Sequence, residues 1–200
     1  MKLHRIRAMF FSLPIVTIVT VSLCLSPCVM GQPSGPELPK AKQTSLGLYL
    51  TAREAYEKWL TDPENITVLD VRTFEEYLFI GHASMVWNVP LMSQTHEWDA
   101  DKQHFKMQPN TDFVTQVKEF AKPTDTILVM CRSGGRSAMA VNQLAAAGFT
   151  NVYNITDGME GDEVEDPDSV FQGQRLVNGW KNSGVPWTYE IDHEKIKLTE

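Results

Sequence analysis

Thr126-Ile127-Leu128-Val129-Met130-Cys131-Arg132-Ser133-Gly134-Gly135-Arg136-Ser137 is the stretch that decides how this chain folds. After Thr126, its next four residues are an unbroken apolar run of the kind expected of a strand covered on both faces. Two adjacent glycines and four polar residues then break the run, and residues 137–147 continue as an Ala-rich helix stopped by Gly148. Working outward, residues 66–71, 85–89 and 151–155 are shorter apolar runs that read as further strands. Residues 51–60 and 111–121 carry apolar side chains at helical spacing, and residues 176–182 are a candidate final helix. Thr73 is placed to cap a short helix, with Glu76 as its capping-box partner. Strands alternating with helices predict an α/β fold, with a mostly parallel central sheet covered by helices on both faces.

The loop after the best strand carries the chemistry. Open α/β sheets bind ligands at the carboxyl ends of their strands, where Cys131 falls. Gly134 and Gly135 allow successive N–H groups to converge on one anion, and the amino end of the following helix adds its positive potential. Both glycines are expected to occupy torsions that penalise a Cβ. A thiolate at Cys131 would be stabilised by that field and by the guanidinium groups of Arg132 and Arg136. Ser133 and Ser137 add hydroxyl donors, Ser137 also being a candidate helix cap.

The chain has 200 residues, 42% hydrophobic and 22% charged, and a net charge of −7, which argues against nucleic acid as a partner. Lys2, Arg5 and Arg7 precede residues 8–36, which contain no charged side chain and have an apolar centre at 15–25. That pattern predicts a secretory signal over residues 1–31, cleaved after Gly31, and hence a periplasmic or extracytoplasmic protein. A membrane anchor over residues 8–25 is the rival reading, and contact with a membrane is expected only in that case. Removing the three basic residues takes the net charge from −7 to −10. Cys24 and Cys28 fall in the signal, so Cys131 is the lone cysteine of the mature chain. Residues 32–45 read as a Pro- and Gly-rich linker, 46–190 as the domain and 191–200 as a tail.

At this point the chain resembles the single-domain rhodaneses, a family of thiosulfate and persulfide sulfurtransferases. The loop Cys131-Arg132-Ser133-Gly134-Gly135-Arg136-Ser137 is similar to the family's active-site loop. Four residues separate Cys131 from Arg136, whereas the related phosphatases and arsenate reductases have five. Asp70-Val71-Arg72, with Glu76-Tyr77, resembles the family's DVR…EY segment. Gly81-His82 and Asn88-Val89-Pro90-Leu91 match its next motif, and Trp180, Gly184 and Pro186 match its close. The chain departs from the pattern by one extra residue between Tyr77 and Gly81, and by 21 residues between Gly158 and Trp180.

The resemblance implies a rhodanese-like fold and a ping-pong reaction. A persulfide forms on Cys131 from a small anionic donor such as thiosulfate, and its outer sulfur passes to a thiol, cyanide or protein acceptor. Arg132, Ser133, Gly134, Gly135, Arg136 and Ser137 would bind the substrate, Arg136 foremost as the attracting cation. The chemistry calls for no cofactor. The alternatives are a non-enzymatic persulfide carrier or docking module, and a phosphatase or arsenate reductase. Asp70 and Arg72 are secondary candidates, with a hydrogen-bonded structural pair as the competing reading. His82 reads as a structural hydrogen-bonder in a turn, and residues 92–110, with His96 and His104, as a surface loop. The acidic run Asp162, Glu163, Glu165, Asp166 and Asp168 lacks calcium-loop spacing and reads as a solvated insertion. No cysteine–histidine cluster suggests a metal site.

Overall fold

The period-2 alternation of one strand divides the hydrophobic core in two. In β6 (Thr126–Met130) and the residue after it, Ile127, Val129 and Cys131 face one layer, while Leu128 and Met130 face the other. The computed structural model describes residues 37–198. The signal expected over residues 1–31, with Cys24 and Cys28, lies outside the described residues, as do positions 32–36 of the linker and 199–200 of the tail.

The elements run β1 (Tyr49–Leu50), α1 (Ala52–Thr61), β2 (Ile66–Asp70), α2 (Phe74–Ile80) and β3 (Trp87–Asn88). They continue with β4 (Met92–Asp99), β5 (His104–Pro109), α3 (Phe113–Lys118), β6, α4 (Gly135–Ala146) and β7 (Val152–Ile155). Five strands form a parallel sheet in the order β1-β7-β6-β2-β3. Phe113 and Val117 of α3 and Ala140, Val141 and Leu144 of α4 cover one face. Ala52 and Ala55 of α1, Tyr77 of α2, and Trp180 cover the other. The α/β class and the parallel sheet between helices agree with the sequence reading.

Local chemistry sets the helix starts. Thr51 and Thr73 cap α1 and α2, each in a reciprocal capping box with Glu54 or Glu76. Asp157 extends the first cap from across the fold, accepting the Ala52 N–H at 2.7 Å. The register Asp70↔Met130 aligns the carboxyl ends of β2 and β6, so residues 70–72 lie beside 130–132.

Several expectations are corrected. Residues 92–109 are not an irregular loop but an antiparallel hairpin of β4 and β5, with a register shift between Gln94 and Trp98. Most of these side chains are exposed, so neither face shows the alternation that marks a half-buried strand. The candidate helix at 176–182 reduces to a 3-10 turn at Trp180–Asn182, because Gly179 precedes it at φ +89°. The linker's last part is tied down: Lys40–Lys42 is a 3-10 turn, and the Lys42 carbonyl accepts Asn154 Nδ2 at 2.9 Å. The tail is held as well, with Lys197 N–H donating to the Asn88 carbonyl at 2.9 Å. No helix among the described residues is long and apolar enough to cross a membrane.

Candidate active site

Cys131 follows the last residue of β6 and is 2% exposed. Alternation aims its side chain at the layer holding α4, whose amino end begins three residues later. Gly134 N–H donates to Cys131 Sγ at 3.2 Å, and Ser137 Oγ–H donates to it at 3.4 Å. Two donors and the positive end of a 12-residue helix therefore converge on the sulfur. That arrangement directs positive potential and hydrogen-bond donors to the place where an anionic sulfur group of a donor would sit.

The loop keeps its shape because backbone packs on backbone. Gly134 sits at φ +97°, and a Cβ there would meet the Thr156 carbonyl oxygen at 2.2 Å. Gly135 is different: it is the first helical residue, has no positive φ, and a Cβ on it would find nothing nearer than the Ala41 oxygen at 3.9 Å. The expectation that both glycines are needed for torsion thus holds for Gly134 and is corrected for Gly135. Behind the loop, the Cys131 carbonyl accepts Met159 N–H at 2.8 Å and the Arg132 carbonyl accepts Glu160 N–H at 2.9 Å. Gly158, at φ +61°, makes this close approach possible, since a Cβ there would lie 2.5 Å from the Cys131 carbonyl oxygen.

The cations are arranged unlike the sequence reading. Arg136 does not stand free to capture an anion: Nη1 and Nη2 donate to Glu76 Oε2 and Oε1 at 2.6 and 2.7 Å. Burial alone would lower the Arg136 pKa, but the hydrogen bonds and charge of Glu76 outweigh it and raise the value overall. Burial likewise acts to raise the Glu76 pKa. The hydrogen bonds and charge of Arg136, the Thr73 N–H and the charge of Arg72 outweigh it, so the carboxyl lies below its ordinary range. Arg132 is the exposed cation of the loop, and its guanidinium has no hydrogen-bond or ion-pair partner among the described residues.

Asp70 and Arg72 are both fully buried and bound to each other, Arg72 Nη2 donating to Asp70 Oδ2 at 2.6 Å and to the Gly81 carbonyl at 2.8 Å. The pair joins the end of β2 to the turn after α2. His82 stacks on Tyr77 with ring centroids 3.8 Å apart and shares a 3.0 Å hydrogen bond between Nδ1 and the Ala83 carbonyl. Burial lowers its pKa. His96 and His104 lie on the hairpin strands. The acidic insertion is ordered at its base by Glu163–Arg175 and by Asp162, which accepts from both Lys42 and Asn178. Among the described residues, no group of three His, Cys, Asp or Glu side chains is placed to hold a metal ion.

Sequence reasoning missed three contributors. Glu76 was visible as a cap and as part of the DVR…EY segment, and neither showed that it holds Arg136. Asn154, buried on β7, donates to the Gly134 carbonyl at 3.2 Å. Gly158 marked only the start of the 21-residue spacing to Trp180. Only the polar Asn154 within an apolar strand run was a signal, since a buried amide needs partners.

A family profile described as rhodanese-like domain matches residues 52–163, more than half of the chain. The chain belongs to the rhodanese-like family. It is 42% identical over 90 residues to thiosulfate sulfurtransferase 16, chloroplastic, of Arabidopsis thaliana, covering 45% of this chain and 68% of that protein. It is 29% identical over 142 residues to the uncharacterized protein RC0915 of Rickettsia conorii, covering 70% and 96%. The crystal structure of Rv0390 from M. tuberculosis superposes with a TM-score of 0.55 at 26% identity, covering 70% of this chain and 96% of that one. The family match spans β2, the Cys131 loop, α4 and β7, and ends before Trp180, Gly184 and Pro186.

Proposed function

We propose that the chain is an exported sulfurtransferase, carrying a sulfane sulfur from thiosulfate or a persulfide donor to a thiophilic acceptor on Cys131. The observation that carries this reading is the convergence of the Gly134 N–H and the Ser137 hydroxyl on Cys131 Sγ, at the amino end of α4. In the first half-reaction the Cys131 thiolate attacks the outer sulfur of the donor. A sulfur–sulfur bond forms to Cys131, and the donor's own bond to that sulfur breaks. Sulfite or a thiolate leaves with the electron pair. The terminal sulfur of the persulfide is then an anion held by the loop's N–H groups, from Ser133 through Arg136, and by Ser137. An acceptor thiolate or cyanide attacks it and returns Cys131 as a thiolate, so no external oxidant or reductant is consumed. Residues 37–198 offer no second thiol onto which the persulfide would collapse.

Arg132, exposed and unpaired, is the cation that meets an incoming donor, while Arg136 supports the loop through Glu76. Export rests on the basic start and apolar run of residues 1–31. N-terminal sequencing of the secreted protein tests it, with cleavage after Gly31 expected. Mass spectrometry tests the chemistry: one sulfur atom added to Cys131 on treatment with a donor, then lost with turnover to cyanide. Loading without turnover would indicate a carrier, and absence of loading by every donor would overturn the proposal.

A further inference from the structure

The charges around the sulfur do not suit every donor equally. Among the described residues, four cations border the loop, and three of them are ion-paired. Arg72 is bound to Asp70, Arg136 to Glu76, and Lys42, whose side chain lies against Gly134, to Asp162 at 3.0 Å. The charge of Glu160 also reaches Arg72. What remains for a donor is Arg132 at the rim and the partial charge of the α4 amino end, about half a unit. Thiosulfate brings two negative charges to a thiolate, so three must share the site during transfer. A persulfide, R–S–S⁻, brings one.

Resting on the sulfurtransferase reading above, we infer that Glu76 determines donor class, so that the site takes monoanionic persulfides in preference to the thiosulfate dianion. Glu76 does this by cancelling Arg136, the second of the loop's two arginines, whose charge also reaches Cys131. In the persulfide reaction the thiolate of Cys131 bonds to the outer sulfur of R–S–S⁻ and the R–S bond to it breaks. The products are the Cys131 persulfide anion and R–S⁻, which takes a proton from water. Charge is conserved and nothing is oxidised or reduced overall. The Glu76–Arg136 pair is about one-fifth exposed on each side, shielded enough for its charge balance to reach the sulfur.

Glu76→Gln separates this role from a structural one, because Gln also completes a capping box and the amide still accepts from Arg136. The measurement is the second-order rate of sulfur loading onto Cys131, read by intact-protein mass spectrometry on the full chain, with thiosulfate and with glutathione persulfide. Relative to each donor's rate with a free small thiol, the wild type should favour the persulfide. Glu76→Gln should shift the ratio of the two rates toward thiosulfate by about tenfold, since one uncompensated cation is worth more to the dianion. Arg136→Gln, which leaves Glu76 uncompensated, should shift the ratio the opposite way. An unchanged ratio in both variants, or a normalised wild-type preference for thiosulfate, overturns the assignment of Glu76 while leaving the sulfurtransferase reading intact. Failure of both donors to load the folded wild type overturns the two together.

Discussion

Replacing Gly134 and Gly135 by alanine, one at a time, should give opposite results, although the two glycines are neighbours in a single loop. At Gly134 the backbone holds φ +97°, where an L side chain costs about 1–2 kcal/mol. Its Cβ would lie 2.2 Å from the Thr156 oxygen and 2.8 Å from the Thr156 carbon, closer than real Cβ atoms approach. Those are backbone atoms between β7 and the turn that holds the loop, so relief requires moving the loop, at a further cost of about 1–3 kcal/mol. A total near 3 kcal/mol lowers the melting temperature by about 6–12 °C in a domain of this size. Gly135 is helical, with its nearest Cβ neighbour at 3.9 Å, so alanine there should stabilise by about 0.4–1 kcal/mol. Thermal unfolding followed by circular dichroism measures both. Sulfur loading onto Cys131 should slow in Gly134→Ala, because the N–H that donates to Sγ moves, and should persist in Gly135→Ala. Equal melting temperatures for the two variants, or a Gly134→Ala protein as stable as wild type, would refute the cradle geometry.

Cys131→Ser should retain the fold and lose all sulfur loading, since the hydroxyl is nearly isosteric but cannot carry a persulfide; residual thiosulfate–cyanide turnover would defeat the assignment. Asp70→Asn should destabilise by about 3–5 kcal/mol in denaturant titrations, because it leaves the fully buried Arg72 without its counter-charge. A loss below about 1 kcal/mol would place the pair in a far wetter setting than described. The Glu76 carboxyl lies below its ordinary value of 4.5 in the folded protein, so its contribution to stability is fully present above pH 4.5. That contribution is lost as pH falls through the lower folded value. The stability difference between wild type and Glu76→Gln should be constant from neutral pH to about 5 and shrink below 4.5. A difference that stayed constant down to pH 3 would contradict the ion pair.

How far the sequence reaches follows from how local each cause is. A strand buried on both faces must be apolar throughout, so residues 127–130 announced the centre of the sheet. Reciprocal caps act across three residues, which made Thr73 and Glu76 readable as a helix start. The nucleophile was readable for the same reason, since cysteine, glycines and helix start are contiguous from 131 to 137. The hairpin of β4 and β5 was not, because it is held by backbone pairing and exposes most of its side chains, which leaves no periodic trace.

Tertiary structure alone decided what the charges do. Glu76 and Arg136 are 60 positions apart, and only the adjacency of β2 and β6 brings α2 and the loop within hydrogen-bond reach. The sequence put Arg136 ahead of Arg132 as the attracting cation, yet Arg132 is the exposed one and Arg136 is bound by both oxygens of a carboxylate. Gly134 and Gly135 are identical residues, and only the passage of Thr156 across the first makes it indispensable. Composition and periodicity determine which segments must be buried and where the backbone is free to turn. Which charge meets which, and which glycine has another strand against it, depends on contacts between distant segments, and no local pattern encodes them.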